Sequence, residues 1–540
     1  MMRVALCQIN PVVGNLLSNT KLICHWIDKA QRQNRDIDLM VFPELALTGY
    51  PPTDHVFMDD FFLLQDQCLD RIQKASQGTH IILGMILKEG EKVFNAALWI
   101  DRKGQRQFQK KMLLPNRDVF DEKRYFVSGH TQDIWNIDDE RIGLNICEDL
   151  WAPLFPEYNI NPLDILIDQK PSLLINISAS PFVAGKDEIR KNLVRHHVKN
   201  AKVPFLYLNL VGGNDDLIFD GASFAISAHG DLAHQAKHCQ EDTLIFDTQE
   251  IPTCQSRYPE SMVHQKKDAL VLGLQDYVHK SGFKKVTLGL SGGIDSAVVA
   301  ALAGEALGAQ NVITVFMPTE FTRTISGEDA MAQAKKMGTL WLEIPIDASK
   351  DQLKQTLNSH FSEAVSTLTF ENIQARLRGQ ILMAVSSEYR ALVLQTGNKS
   401  EIALGYCTLY GDMVGGISPI GDLYKHEVYA LGELLNQKNN VIPERVFDRP
   451  PSAELRADQK DTDTLPPYDV VDALVKAMVE DHQSVQSLIA QGFDPEIVGD
   501  IWQKMCSQEF KRKQAPIILK TSSKAFGRGR KMAIATQEVK

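Results

Sequence analysis

Three residues in the first half of the chain have the types and settings for amide chemistry. Glu44 follows an apolar run in VFPELALTGY, Lys111 opens KMLLP, and Cys147 closes the apolar run in LNICEDLW. A cysteine attacks as the thiolate and needs a base, and the tetrahedral oxyanion it creates needs a positive donor. Glu44 as base, Lys111 as oxyanion donor and Cys147 as nucleophile would meet both needs. Singly, each has a plainer explanation: a cysteine at a strand end packs as a small apolar side chain, and a lone glutamate or lysine is a surface charge. A second stretch, TLGLSGGIDSAVVAAL at 287–302, passes from a strand pattern through Ser291-Gly292-Gly293 into a helical pattern. Glycines there let successive backbone N–H groups turn towards an anion, and the helix adds its positive end. Asp295 falls in the first helical turn, where it could cap the helix or hold a divalent cation on phosphates. The loop lacks the Gly-x-x-x-x-Gly-Lys-Ser/Thr pattern that gives the β/γ-phosphates a lysine.

Both stretches need rigid elements to position them, and the chain is rich in these. With 540 residues it is too long for one ordinary core, so two large domains are expected. Apolar residues make up 44% and charged residues 23%, the composition of a soluble globular protein. No apolar run approaches the ~18 residues of a membrane span. No basic-then-apolar leader precedes the first strand-like run. Eight scattered cysteines without a Cys-x-x-Cys pair read as reduced thiols in a cytoplasm. The net charge of −10 argues against a broad nucleic-acid face.

Strand and helix patterns alternate nearly throughout, which predicts α/β layers. RVALCQI reads as a strand. Leu22, Ile23, Trp26, Ile27 and Ala30 share one helical face, and IDLMVFPE returns as a strand ending at Glu44. GASFAISAHGDLAHQAKH predicts a hairpin turning at Gly230-Asp231. A metal site at His234, His238 and Cys239 is disfavoured, because helical spacing means nothing in a hairpin. The pattern then weakens into QEDTLIFDTQEIPTCQSRYPE, which sets the expected domain boundary near residue 255, giving domains 1–255 and 256–540. A helix is expected from about Met262 to Lys280. TGNKSE follows an apolar strand, where ligand sites gather in parallel sheets. Residues 449–472 are polar and proline-marked, long enough for a lid or substrate loop.

Ser-Gly-Gly-x-Asp-Ser at 291–296 resembles the pyrophosphate loop of the ATP pyrophosphatases, which cleave ATP between the α- and β-phosphates and leave AMP on a substrate oxygen. The absent lysine fits that adenylylation. ENIQARLRGQILMAVS, LVLQTGNKSE and GYCTLYGDMVGGISPIGDLYK extend the likeness to the NAD synthetases, which amidate deamido-NAD. The resemblance implies that ATP contacts Gly289, Leu290, Ser291, Gly292, Gly293, Ile294, Asp295, Ser296 and Thr396. It implies that magnesium lies on Asp295 and Glu401, and that deamido-NAD meets Asn372, Glu401 and Lys511. The basic stretch FKRKQAPIILKTSSKAFGRGRK is similar to the carboxyl-terminal region of the glutamine-dependent members.

Taken in order, and with their flanking Phe-Pro-Glu, Lys-x-x-Leu-Pro and Cys-Glu-Asp contexts, Glu44, Lys111 and Cys147 resemble the Glu-Lys-Cys triad of the nitrilase superfamily. By that resemblance Glu122 positions the lysine, and glutamine meets Ser180 and Lys186, with Tyr50 and Glu148 as further contacts. Arg117 stands at a glutamine contact where a tyrosine is often found. The two resemblances together cover nearly the whole chain and imply a glutamine-dependent NAD synthetase family member. They imply an amino-terminal αββα nitrilase-like domain that releases ammonia from glutamine and a carboxyl-terminal Rossmann-like ATP pyrophosphatase domain that uses it. A protein tunnel for ammonia and a homo-oligomeric assembly are implied by the resemblance alone. The competing expectation is an ATP pyrophosphatase that amidates another acid.

Overall fold

Alternation along the first strand decides the layering of the amino-terminal half. In Arg3–Gln8, Val4 and Leu6 point one way and Ala5 and Cys7 the other, as the period of a strand requires. Val4 and Leu6 join Val41, Ile82, Leu144, Ile146, Ile175 and Leu206 in one buried cluster. Ala5 and Cys7 join Ile23, Trp26, Ile27, Leu69 and Ile72 in another. The computed structural model describes residues 2–33, 36–76, 78–248 and 253–535. Within them the chain forms two compact units, Met1–Gln265 and Lys266–Lys540.

The first unit stacks two six-stranded sheets. One runs Asp242–Asp247, Arg3–Gln8, Leu39–Val41, His80–Glu89, Lys92–Ile100, Arg106–Lys110. The other runs Leu232–Gln235, Phe224–Ile226, Phe205–Asn209, Leu173–Ser178, Glu140–Ile146, Ile134–Ile137. Helices Leu16–Gln33 and Asp59–Ala75 cover the first sheet. Pro162–Asp168 and Lys186–Ala201 cover the second, packing Leu163, Leu166, Val194 and Val198 on Leu174, Phe205 and Phe224. The result is the expected αββα sandwich.

Three boundaries differ from the sequence reading. The strand expected to end at Glu44 stops at Val41, and Glu44 sits in the turn that follows. Cys147 lies one residue beyond its strand, opening a 3-10 turn. The polar stretch whose weakening pattern set the expected boundary contains the strand Asp242–Asp247, which pairs antiparallel along the whole of Arg3–Gln8. Its period-two side chains were hidden by flanking acidic residues. The hairpin of Phe224–Ile226 with Leu232–Gln235 forms as expected, and the helix Met262–Lys280 has the expected ends.

The second unit is built on four parallel strands in the order Leu340–Glu343, Val312–Phe316, Lys285–Gly289, Ala391–Val393. The chain leaves Lys285–Gly289 to one side and later returns on the other. The order therefore reverses beside Gly289, and a crevice opens at the strands' carboxyl ends. Helix Ile294–Leu307 is buried nearly all round, which explains its apolar sequence without a polar stripe. Lys425–Asn439 packs on it closely enough that a Cβ on Gly432 would lie 3.0 Å from Val298. The long polar segment at 449–472 is irregular to Pro467, with one 3-10 turn at Asp461–Asp463, and its last residues begin the helix Tyr468–Val479.

Candidate active sites

Lys111 is the hub of the first site. Its ammonium lies 2.7 Å from Glu44 Oε1 and 2.7 Å from Glu122 Oε1, and the Lys111 and Glu44 side chains are 0% exposed. Each partner is braced in turn. Glu44 Oε1 also accepts from Asn95 Nδ2 at 2.7 Å, and Oε2 accepts the Ala179 N–H at 2.7 Å. Tyr50 donates its hydroxyl to Glu122 Oε1 at 2.8 Å. Tyr50, read from sequence as a glutamine contact, is thus committed to the carboxylate behind the lysine.

Burial alone would lower the Lys111 ammonium, but Glu122 and Glu44 outweigh it and hold the group well above the usual lysine value. Burial lifts Glu122 to about 7 against the pull of Lys111, with Glu44 adding to the rise. Cys147 is buried, and burial together with Glu44 pushes its thiol well above the usual value, with Lys111 opposing. That environment favours the neutral thiol at Cys147. Its backbone has φ 44°, a left-handed conformation that non-glycine residues seldom adopt and that clusters at functional turns.

Asp149, which sequence reading did not single out, ties two of these residues together. Its Oδ1 accepts the Met112 and Leu113 N–H groups at 3.1 and 2.8 Å, and Oδ2 accepts the Ile146 N–H at 3.2 Å. One buried carboxylate thus clamps the backbone after Lys111 to the backbone before Cys147. The sequence signal was its place two residues after the cysteine in Cys-Glu-Asp.

Beside the triad, Arg117 meets Glu148 Oε1 at 2.5 Å and lies over the Phe155 ring at 3.3 Å. Tyr158 donates to the same Glu148 oxygen at 2.8 Å, and Arg117 Nη1 donates to the Tyr158 hydroxyl at 3.1 Å. Tyr158 therefore brings a phenol beside position 117, where the sequence itself has arginine. Ser180 follows Ala179, and Lys186 donates to the Pro181 carbonyl at 3.1 Å while lying 5.1 Å over the Trp151 ring. His234 instead stacks on Phe246, and His238 meets Tyr258 edge-on. Among the described residues no three or more His, Cys, Asp and Glu side chains gather as they would around a metal ion.

The second site is a cleft of about 310 Å³ at the sheet's carboxyl end. Gly289, Leu290, Ser291, Gly293, Ile294, Asp295, Ser296, Thr396 and Glu401 all line it. Gly292 turns the loop beneath, with φ 81°, and a Cβ there would fall 2.2 Å from the Ser326 carbonyl oxygen, so only glycine fits. Its own carbonyl accepts from Arg449. Ser291 and Ser296 hydroxyls lie 3.0 Å apart and fix the turn.

Asp295 does not cap its helix, contrary to one sequence expectation. It points instead at Lys425 Nζ, 2.6 Å away, which also lies 3.3 Å from Glu401. Asn398 orients both acids, donating to Asp295 Oδ1 at 2.9 Å and accepting the Glu401 N–H at 3.0 Å. Burial raises Glu401 to about 8 despite Lys425, with Asp295 adding to the rise. Two carboxylates that converge on one cation are the donor set a divalent ion on phosphates would need. Lys425 itself was missed; its position in GDLYK gave no spacing signal because its partners lie 130 and 24 residues away.

Asn372 and Lys511 stand behind the cleft wall. Asn372 Oδ1 accepts from the Thr408 hydroxyl at 2.9 Å, and Lys511 Nζ donates to the Gly405 and Cys407 carbonyls at 2.8 Å each. Cys407 and Thr408 line the cleft themselves.

The family profiles divide the chain as these two sites do. Carbon-nitrogen hydrolase matches residues 3–252, and NAD synthase matches 267–515. A glutamine-dependent NAD(+) synthetase of Synechocystis is 42% identical, with 99% of each chain covered. One of Acinetobacter baylyi is 40% identical over 98% of each. The solved glutamine-dependent NAD+ synthetase of Acinetobacter baumannii, in complex with ADP, superposes with a TM-score of 0.79 at 36% identity, covering 99% of this chain and 98% of that one. One from Cytophaga hutchinsonii, at 21% identity and TM-score 0.86, shares the fold. A chain matched end to end by such relatives, with both halves recognised by their own profiles, belongs to the glutamine-dependent NAD(+) synthetase family.

Proposed function

We propose that the chain amidates deamido-NAD to NAD at the expense of ATP, with ammonia drawn from glutamine. The observation that carries this reading is the presence on one chain of two assembled centres, one fit for amide cleavage and one for nucleotide adenylylation. In the first, Glu44 takes the Cys147 proton as sulfur attacks the glutamine side-chain carbon. Lys111 holds the oxyanion. Return of the proton to nitrogen expels ammonia and leaves a glutamyl thioester, which water, deprotonated by Glu44, releases as glutamate. Ser180, Lys186, Glu148 and Arg117 hold the substrate's polar groups, and Glu122 keeps Lys111 in place.

In the second, a carboxylate oxygen of deamido-NAD attacks the α-phosphorus of ATP and expels pyrophosphate. Ammonia then attacks the activated carbonyl and AMP departs. The loop 289–296 and Thr396 bind ATP, and Asn372, Glu401 and Lys511 serve the dinucleotide side. Magnesium, held by Asp295 and Glu401, would neutralise phosphate charge, and Lys425 is placed to turn from the two acids to the phosphates. The functional halves are taken as 1–255 and 256–540, with residues 256–265 a connector that packs with the first. Eight free cysteines support a reducing, cytoplasmic setting. Among the described residues no helix is long and apolar enough to cross a membrane. Exposed Phe57, Met58 and Leu63 support self-assembly into a homo-oligomer.

Incubation with ATP, magnesium, deamido-NAD and glutamine should yield NAD, AMP, pyrophosphate and glutamate together. Stoichiometric ADP, or preference for another acid over deamido-NAD, would overturn the assignment.

A further inference from the structure

Residues 253–266 lie outside both family profiles, which end at 252 and resume at 267. They are nevertheless stitched to the segment that carries Ser180 and Lys186. Gln265, 6% exposed, accepts the Gly185 N–H at 2.9 Å and donates to the Pro259 carbonyl at 2.7 Å. Gly185 is the residue before Lys186, and has φ 83° at the start of helix Lys186–Ala201. Ser256 accepts from Lys191 Nζ at 3.1 Å on that helix. Tyr258 donates its hydroxyl to Asp220 Oδ2 at 2.8 Å.

Asp220 is the partner of the fully buried Arg190, at 2.8 and 2.9 Å. Arg190 in turn donates to the Ser180 carbonyl at 2.9 Å and to the Pro181 carbonyl at 3.3 Å. The loop between Ser178 and Lys186 has no ladder of its own; Phe182 and Lys186 give their N–H groups to the Ile218 and Val183 carbonyls at 2.6 and 3.0 Å, and side chains serve further backbone groups of the loop. Glu44 and Asn209 hold Ala179 and Ser180 from within the sandwich. Gln265 holds the far end, and Tyr258 steadies the arginine that holds the middle.

We propose that Tyr258 and Gln265 are positioning residues of the glutamine site, so that the connector completes a substrate loop that the sandwich leaves half supported. The inference rests on the reading that glutamine binds at Ser180 and Lys186. Neither residue touches the substrate; both act through backbone groups of loop 179–186. A connector that only joined two units would leave glutamine binding untouched.

The test uses the full chain with Tyr258→Phe, which removes one hydroxyl from an otherwise unchanged ring, and Gln265→Ala. Loss of a buried hydrogen bond that fixes a binding loop should raise the glutamine KM about fivefold to thirtyfold for Gln265→Ala, and less for Tyr258→Phe. Synthesis from added ammonium should stay within about twofold of the parent, since its chemistry needs no glutamine loop. Inactivation by a diazoketone analogue of glutamine should slow in the same ratio, while alkylation of Cys147 by iodoacetamide should not. Unchanged glutamine KM in both variants overturns the proposal, as does a parallel loss with both nitrogen sources. Cys147→Ala run alongside separates the two readings. If it still uses glutamine, the glutaminase reading fails and this proposal with it; if it does not, an unchanged KM in both variants fails the connector alone.

Discussion

Each half of the molecule sets a lysine between two carboxylates with an asparagine beside them, and the two arrangements differ in what surrounds them. Lys111 lies between Glu44 and Glu122 with Asn95 on Glu44, and the three charged side chains are at most 4% exposed. Lys425 lies between Asp295 and Glu401 with Asn398 on Asp295, and the two acids are 19% and 17% exposed along an open cleft. In the first, the charge balance is complete before substrate arrives, and nothing needs to move except a proton. Such fixed charges cost no reorganisation when an oxyanion forms. In the second, the lysine balances acids that line the cleft proposed for ATP. On that proposal its ion pairs are exchangeable, because a phosphate would offer Lys425 a new anion and a divalent cation would offer the acids a new partner.

Replacing Cys147 breaks the comparison most sharply. Cys147→Ala removes the only sulfur proposed to bond glutamine, and loss of a covalent nucleophile is worth on the order of 10⁶-fold in turnover. Alanine tolerates the left-handed backbone no worse than cysteine, so the fold should survive. Glutamine-driven NAD formation should vanish while synthesis from ammonium salt persists. Loss of both in a folded protein would mean that the two centres do not work separately.

Asp295→Asn acts on the other member of the pair. It takes one charge from the convergent acids and leaves Asn398 and Lys425 facing an amide. Removing one preorganised electrostatic group costs about 10²- to 10³-fold. NAD formation should fall by that factor with glutamine and with ammonium alike, while glutaminase activity stays measurable. Full synthesis from ammonium would take Asp295 out of the mechanism.

Which parts of this could be seen in the sequence follows from how far each partner lies along the chain. Ile23, Trp26, Ile27 and Ala30 are buried on one face as their spacing requires. The Gly-Gly loop, the hairpin and the helix Met262–Lys280 are equally local, and were legible. The triad was legible as three flanking contexts, but its geometry was not, because Glu44 and Lys111 are 67 residues apart. Helix Lys186–Ala201 shows the limit. Its buried face includes Asp187, Arg190 and Lys191; Asp187 pairs with Lys191 on the helix itself, but Arg190 and Lys191 also need Asp220 and Ser256, 30 and 65 residues away. Lys425 was invisible for the same reason, and Asp149 was marked only by its place in Cys-Glu-Asp, not by its partners 36 and 37 residues away. A polar side chain is buried only with its partners, and sequence pattern reports apolar periodicity, not distant pairing.

Asp149→Asn sharpens the point that the first centre is held rigid from behind. Asparagine has one acceptor oxygen for three N–H donors, and its amide must face at least one of them. A buried unsatisfied donor costs about 1–3 kcal/mol. Glutaminase turnover should drop about tenfold as the Lys111 and Cys147 backbones lose their shared clamp, a loss typical of groups that orient catalytic ones. The ammonium-driven rate should not change. Equal loss of both would assign Asp149 to global stability alone.

The smallest effect expected is a slope. Glu122 rises from 4.5 to about 7, and its Oε2 is buried without a hydrogen-bond partner, an environment that favours the neutral acid. Between those two values the folded chain holds a proton that the unfolded chain has released. The stability this contributes is therefore complete below pH 4.5 and is lost as pH rises through about 7. Its full size is about 3 kcal/mol, spread over the interval. Glu122→Gln cannot ionise, so denaturant titrations of the variant should show a flatter fall in stability from pH 5 to 8 than the parent, whatever its absolute stability. No comparable flattening should come from the exposed acids of the first unit. An unchanged slope would place the retained proton elsewhere, with Asp149, also raised to about 7 by burial, the next group to test. It would also mean that Lys111 faces two full negative charges, so that the charges of the first centre are not balanced before substrate arrives and the contrast drawn with the second is lost.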